Sequence, residues 1–263
     1  MQYKYTKRHP PATNPLYLHP MKKEIRPYQN QQGSKKEQVI AMFDTISKEY
    51  DLLNRVISLG IDIKWRNRLV QKIAAKQPKN ILDVATGTGD LAVALCKTGA
   101  SSIVGLDISP GMLAIGKEKV LSKGLSDIIE MHIGDSENLS YETASFDAVT
   151  VAFGVRNFEN LEKGLSEIYR VLKPGGQLAI LETSVPTRFP FKQGYRLYAG
   201  FLMPLIGKIF SKDRAAYGYL SDSAAHFPFG KAFNNILLKI GFIEVVDDPQ
   251  TLGVATIYSA TKP

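Results

Sequence analysis

From Asn80 to Glu182 the chain alternates short apolar runs with amphipathic stretches, and this alternation constrains the fold more than any other feature. "NILDVA" reads as a strand and "DLAVALCKTG" as a helix stopped by Gly99. "SIVGLDI" is the next strand. "SPGMLAIGKEKVLSKG" is a helix with Ser109 as N-cap, Pro110 at the first helical position and Gly124 at its end. "IIEMHIGD" and "FDAVTVAFG" follow as strands, "ENLEKGLSEIYRVLK" as a helix and "PGGQLAILE" as a strand. Such an order demands right-handed crossovers and a mostly parallel sheet covered on both faces, an α/β architecture. Upstream, Val39, Met42, Phe43 and Ile46 recur at helical spacing, so 35–50 reads as an amphipathic helix. A second helical region spans about 51–76, carries Trp65 and ends before Pro78. Downstream lie a helix near 229–240 and the strands "GFIEVVDD" and "GVATIYSAT".

Two segments depart from the pattern. Residues 184–228 are aromatic-rich and irregular, with Phe189, Tyr195, Phe201 and Tyr219 among them, and read as a helical insertion lying over the sheet. Residues 1–34 are rich in Pro, Asn and Gln without hydrophobic period, and read as a disordered basic tail ahead of a domain spanning 35–263. The tail explains the charge: residues 1–36 hold eight Lys or Arg and one acid, Glu24, out of a net +8 for the chain. The remainder is nearly neutral, which argues against a nucleic-acid partner for the folded part. A tail of this kind suits contact with an anionic membrane surface as well as a solvated leader. Met21, inside it, is a second candidate start. A single cysteine, Cys96, fits a reducing cytoplasm, and no apolar signal segment opens the chain. The most apolar run, "FLMPLIGKIF", is interrupted by Pro204, Gly207 and Lys208, and is too short to span a bilayer.

Ligands of open α/β sheets bind beyond the carboxyl ends of the strands. There the sequence places Asp83 with the turn "ATGTGD", then Asp107, the pair Asp135–Ser136, the string "AFGVRN" with Arg156 and Asn157, and Glu182. Gly87 and Gly89 allow backbone to approach a ligand where a Cβ would clash. An acid ending the second strand suits the paired hydroxyls of a ribose, and Asp135–Ser136 suit an adenine edge. "GTGDLA" also satisfies the dinucleotide pattern G-x-G-x-x-A, so a nicotinamide dinucleotide is one candidate. The acids at 83 and 90 flank the turn where a pyrophosphate would lie. They favour a cationic ligand instead, such as the sulfonium and ammonium of S-adenosylmethionine. No metal is expected.

"YDLLNRVISLGIDIKW" (Tyr50–Trp65) and "RVLKPGGQLAILETS" (Arg170–Ser184) resemble the two signatures of the ubiquinone/menaquinone biosynthesis C-methyltransferases. "FGVRNFEN" and "AYGYLSDS" fall where that family has similar strings, and the resemblance covers about 38–261. It implies a class I S-adenosylmethionine-dependent methyltransferase, with a Rossmann-like, mostly parallel seven-stranded sheet whose last strand is antiparallel. It also implies methylation of a ring carbon of a polyprenylated hydroquinone. The signatures read closer to the menaquinone branch than to the ubiquinone branch. Cofactor contacts carried over fall on Thr88 in the glycine turn and on Asp107, Asp135 and Ser136. The chain departs from the pattern at Asp62, where many members have His, at Ala152, and in "HFPF" at 226–229.

A ring carbon becomes nucleophilic when a neighbouring hydroxyl, which titrates near ~10, loses its proton. Arg156 is the expected positive charge for the resulting oxyanion, with Asn157 orienting the same oxygen and Tyr50 or His226 taking the proton. A polyprenyl substrate implies a cytoplasmic enzyme able to touch the inner face of the membrane. Phe201 and Leu205 are the expected contacts for the prenyl chain.

Overall fold

The computed structural model describes residues 25–29, 31–197 and 213–263. Phe201, Leu205 and the tail up to residue 24 lie outside the described residues. A seven-stranded sheet runs in the order β3-β2-β1-β4-β5-β7-β6. Its strands are β1 (Asn80–Val84), β2 (Ser102–Asp107), β3 (Ile129–Ile133), β4 (Phe146–Ala152), β5 (Leu172–Thr183), β6 (Ile243–Gln250) and β7 (Ala255–Thr261). The first five pair in parallel, and β7 runs antiparallel between β5 and β6. The expected seven-stranded, mostly parallel sheet is present with its antiparallel strand.

Helices cover both faces. α5 (Leu161–Val171) and α8 (Lys231–Ile240) lie on one side, where Leu165, Ile168, Phe233 and Leu237 bury against Leu82, Val149, Leu178 and Tyr258. On the other lie α2 (Ile61–Ala74), α3 (Asp90–Leu95) and α4 (Pro110–Ser122), where Trp65, Leu69, Leu91 and Val120 meet Ile81, Ile103, Ala148 and Ile257. The strand side chains divide between these two layers by the two-residue alternation of a pleated strand. Ser109 caps α4 through the Met112 amide with Pro110 at its first turn, as expected from the sequence.

A third cluster forms the roof. α1 (Lys35–Ser58) packs Val39, Met42, Ile46 and Leu53 against Met112 of α4 and against Ala216, Tyr217 and Tyr219 of α7 (Arg214–His226). Ser34 and Glu37 start α1 as a reciprocal capping box. The helix does not stop near residue 50. It continues to Ser58, where Leu59 (φ 52°) and Gly60 (φ 74°) turn left-handed and lead into α2. Ahead of the boundary drawn from composition, Ile25 and Tyr28 pack onto the roof, and Tyr28 donates a 2.5 Å hydrogen bond to Asp213. The insertion contributes α6 (Phe191–Leu197) and α7.

Four polar ties hold α1 over the carboxyl edge of the sheet. Lys35 donates to the Phe158 carbonyl (2.6 Å) and Lys36 to Asp135 (2.7 Å). Asp44 accepts from the Ser109 hydroxyl and the Gly111 amide. Asp51 accepts from the Thr88 hydroxyl and Lys119.

Beneath the roof, Asp83 joins the end of β1 to its neighbours. Its carboxyl is 1% exposed. It accepts hydrogen bonds from Thr86 in the turn (2.6 Å) and Thr150 on β4 (2.7 Å). Burial pushes it up to about 6, against the pull of those two hydroxyls. A carboxyl held higher in the folded than in the unfolded chain takes up a proton on folding. Its contribution to stability is therefore full below the unfolded value and is lost as pH rises through about 6. Denaturant unfolding of the native chain and of Asp83→Asn at about pH 4.5 and about pH 7.5 measures this. The native chain should lose about 2 kcal/mol more than the variant over that interval, at about 1.36 kcal/mol per unit. Equal losses would mean that Asp83 folds as an ordinary ionised carboxylate.

Candidate active site

Two cavities open at the carboxyl edge, and Tyr50 and Phe153 line both. The first lies between α1, the turn after β1 and the ends of β2 and β3. Gly87, Asp107, Asp135, Ser136 and Asn157 line it, with Ile108, Met112, Phe43 and Phe158 as apolar walls. The second, about 140 Å³ against about 70 Å³, lies between α1, α2, α6 and α7. Trp65, Tyr195, Leu220 and Val254 form its apolar lining, and Arg156, Arg66, Asp62, Ser58 and Asn54 supply polar groups.

The first turn is built by left-handed backbone at Ala85 (φ 54°), Gly87 (φ 57°) and Gly89 (φ 78°). A Cβ at Gly87 would meet nothing within 4 Å, so its backbone stands open. Gly89 has a different role: a Cβ there would meet Met131 and approach Gly116 of α4. It lets helix pack on turn and does not line the cavity. Thr88 is also withdrawn: it is 2% exposed, and its hydroxyl is bound to Asp51 at 2.6 Å and lies 3.3 Å from Lys119.

Asp107 accepts the amides of Gly87 (2.8 Å) and Ser109 (2.9 Å). Burial raises it, and the backbone hydrogen bonds of Ser109, Gly87 and Ile108 oppose the rise. A carboxylate has about four lone-pair sites, so these backbone donors still leave room for a hydroxyl donor from the cavity that Asp107 lines. Asp135 is tied differently: one oxygen accepts the Glu137 amide and the other holds Lys36.

The acids flanking the turn have explanations other than a cationic ligand. Asp83 is buried in its two hydroxyl bonds. Asp90 holds Lys119 at 2.5 Å. Burial raises Asp90, but the hydrogen bond and charge of Lys119, with Arg66 and Arg55, outweigh it and leave it low. Both carboxylates are satisfied within the chain.

In the second cavity Arg156 has a side chain 8% exposed and holds Glu182 at 2.5 Å. Glu182, wholly buried at the end of β5, also accepts the Thr183 amide. The expected free positive charge is therefore half of a buried ion pair. Burial lowers the Arg156 pKa, but Glu182 and the neighbouring tyrosines more than restore it, so the guanidinium stays protonated. Its Nε is buried without a hydrogen-bond partner among the described residues. An unmet buried donor costs about 1–3 kcal/mol.

Tyr50 spans the two cavities. Burial raises its hydroxyl, and the Asn54 hydrogen bond and the charges of Arg156 and Arg66 pull it partly back. It remains a phenol near neutral pH, better suited to donating or relaying a proton than to keeping one. Asn157 accepts from the Tyr219 hydroxyl at 3.2 Å and lines the first cavity, not the second one that Arg156 lines. His226 is exposed, sits on the Asp222 carbonyl and lines neither cavity. Sequence reasoning did not anticipate Lys36, Asn54, Ser58 or Arg66. The last three lie in or beside the Tyr50–Trp65 string, which was the signal available.

The donor set of the first cavity fits an adenosyl group. It offers an open glycine backbone, a carboxylate with spare acceptor sites at a strand end, a second carboxylate–serine pair, and apolar walls between them. The family model for the ubiE/COQ5 methyltransferase family matches residues 31–262. A demethylmenaquinone methyltransferase of Bacteroides fragilis is 47% identical over 240 residues, 91% of this chain and 98% of that one. One of Porphyromonas gingivalis is 43% identical over 241 residues, again 91% and 98%. A ubiquinone/menaquinone biosynthesis C-methyltransferase of Geotalea daltonii is 44% identical over 230 residues, 87% of this chain and 97% of that one. Among solved structures, the [4+2]-cyclase SpnF superposes with a TM-score of 0.60 at 17% identity, over 89% of this chain and 98% of that one. A SAM-dependent methyltransferase from Aquifex aeolicus gives 0.51 at 19%, over 74% and 89%. These structural likenesses show the fold alone, while the sequence match excludes the nicotinamide dinucleotide reading of the glycine turn. The chain belongs to the ubiE/COQ5 methyltransferase family, whose members are S-adenosylmethionine-dependent enzymes.

Proposed function

We propose that this chain methylates a ring carbon of a polyprenylated quinol, with demethylmenaquinol as substrate and menaquinol as product. The observation that carries the substrate reading is Arg156, whose Nε has no hydrogen-bond partner among the described residues, lining a largely apolar cavity that adjoins the adenosyl-type cavity. The relatives from Bacteroides and Porphyromonas carry names for the same reaction.

S-adenosylmethionine supplies an electrophilic methyl group when bound. Asp107 would hold its ribose, the Gly87 backbone would face it, and Asp135 and Ser136 would lie at the base. Occupancy at Asp135 requires sharing or releasing Lys36. On the substrate side, Arg156 donates from Nε to the hydroxyl oxygen beside the reacting carbon and stabilises it as the proton leaves. Glu182 fixes the guanidinium so that little reorganisation is needed. Tyr50 relays the proton to water, its hydroxyl giving up one proton as it takes the other. Phe153 and Tyr50 form the partition across which the two reactants meet, so positioning supplies much of the rate. The prenyl chain would leave past exposed apolar side chains such as Leu59 and Leu252, which neighbour the cavity residues Ser58 and Val254 in the chain. Those side chains would rest on a membrane surface. No helix among the described residues is long and apolar enough to cross one.

A quinone ring is an electrophile with no hydroxyl to deprotonate, so the reaction needs reduced substrate. Methyl-labelled S-adenosylmethionine with demethylmenaquinone should give ring-methylated product in the presence of a chemical reductant and none without it. Equal labelling in both would refute the quinol chemistry. A parallel arm with 2-polyprenyl-6-methoxy-1,4-benzoquinol tests the ubiquinone branch, and preference for it would replace the naphthoquinol. Arg156→Lys keeps the charge but lacks Nε. It should lower turnover by about tenfold or more while leaving cofactor affinity near that of the native chain. Unchanged turnover would remove Arg156 from the chemistry. Asp107→Ala should weaken S-adenosylmethionine binding by about 1.5–3 kcal/mol in calorimetry, and unchanged affinity would dismiss it as the ribose acceptor.

A further inference from the structure

Arg156 shares the second cavity with another buried guanidinium. Arg66, on α2, has a side chain 10% exposed and pairs with Asp62 one turn earlier. Its guanidinium also lies 5.7 Å from the centre of the Phe153 ring. Asp62 takes a second hydrogen bond from the Ser58 hydroxyl at 2.6 Å. Ser58, Asp62 and Arg66 all line the cavity. Two guanidinium–carboxylate pairs therefore bound one largely apolar space: Arg156–Glu182 from the sheet edge and Arg66–Asp62 from the helix.

Stability is weak ground for the second pair, even with Asp90 4.0 Å from Arg66. Removing two charges from water costs several kcal/mol per ion, and apolar side chains of the same volume often serve a core as well or better. Nor is the pair chemically saturated. Among the described residues Arg66 makes one hydrogen bond, to Asp62, out of five N–H donors. Asp62 accepts two, out of about four lone-pair sites. Arg66 and Asp62 together thus present both a donor and an acceptor to the cavity, which is the complement of a hydroxyl group. Tyr50 lines the same cavity and feels the charge of both guanidiniums.

A 1,4-quinol carries hydroxyls on opposite sides of its ring. The reading above gives Arg156 the hydroxyl beside the reacting carbon. Resting on that reading, we infer that Arg66 and Asp62 bind the far hydroxyl, Arg66 donating to its oxygen and Asp62 accepting its proton in a hydrogen bond. They select a 1,4-diol over a mono-ol. The ring is then held at both ends, and its orientation against Phe153 is fixed. The departure at position 62 from His to Asp belongs to this far-side contact rather than to methyl transfer itself.

The test is anaerobic calorimetry on the full chain saturated with S-adenosylhomocysteine. One probe is reduced 2-geranyl-1,4-naphthoquinol. The other is 3-geranyl-1-naphthol, which keeps the near hydroxyl and lacks the far one. The native chain should bind the diol about tenfold or more tightly than the mono-ol. Asp62→Leu/Arg66→Met, which replaces the pair by apolar groups of similar size, should bring the two affinities within about threefold by weakening the diol alone. A native ratio near one overturns the inference without any variant, so a double variant that fails to fold does not shield it. A variant that keeps the native ratio overturns it as well. Binding of neither probe would instead strike the quinol reading on which the inference rests, whereas tight binding of both equally strikes the inference alone.

Discussion

A carboxylate buried at the end of a strand must find donors, and the active edge of this protein is organised by three of them. Asp83, Asp107 and Glu182 end β1, β2 and β5 and are all largely or wholly buried. Each finds a different kind of partner. Asp83 takes two threonine hydroxyls and pins the glycine turn to β4. Asp107 takes backbone amides and lines the first cavity. Glu182 takes a guanidinium and thereby places Arg156 at the second. The cost of desolvating these groups is offset by hydrogen bonds that also fix the geometry of both cavities.

The roof is the counterpart of this edge. α1 contributes apolar side chains to α4 and α7, yet its ties to the sheet are polar: Lys35, Lys36, Asp44 and Asp51 each reach a different strand-end loop or helix start. Tyr50 lies on the same helix, so the residue shared by both cavities is carried by the element that closes them. The Lys36–Asp135 contact occupies an oxygen that an adenine amino group would use. Under the proposed placement of the cofactor, its binding and the seating of α1 would be coupled through one carboxylate.

Much of this was legible in the sequence. Strand and helix order followed from periodicity and from caps such as Ser109–Pro110, because those signals are local. The rule that places ligands beyond strand ends picked out Asp107, Asp135, Ser136 and Arg156, and the structure sets them around the two cavities at that edge. The pairings were not legible, because they join residues far apart in the chain. Thr88 bonds Asp51 and Lys36 bonds Asp135 only once α1 crosses the sheet edge, and no local pattern gives that crossing. The same blindness made Asp90 read as a ligand for a cation, when Lys119, 29 positions away, supplies the cation. α1 ran past residue 50 because its polar end, around Asp51 and Asn54, faces Lys119 and Tyr50 rather than solvent.

The central claim is that the Arg156 Nε donor meets the oxygen whose proton loss activates the ring carbon. A crystal structure with S-adenosylhomocysteine and a reduced naphthoquinol analogue, prepared without oxygen, tests it most directly. The account requires a ring oxygen within about 3.2 Å of Arg156 Nε, with the adjacent unsubstituted carbon facing the homocysteine sulfur. A ring bound in the second cavity with neither oxygen near Arg156, or with the prenylated carbon facing the sulfur, would contradict it.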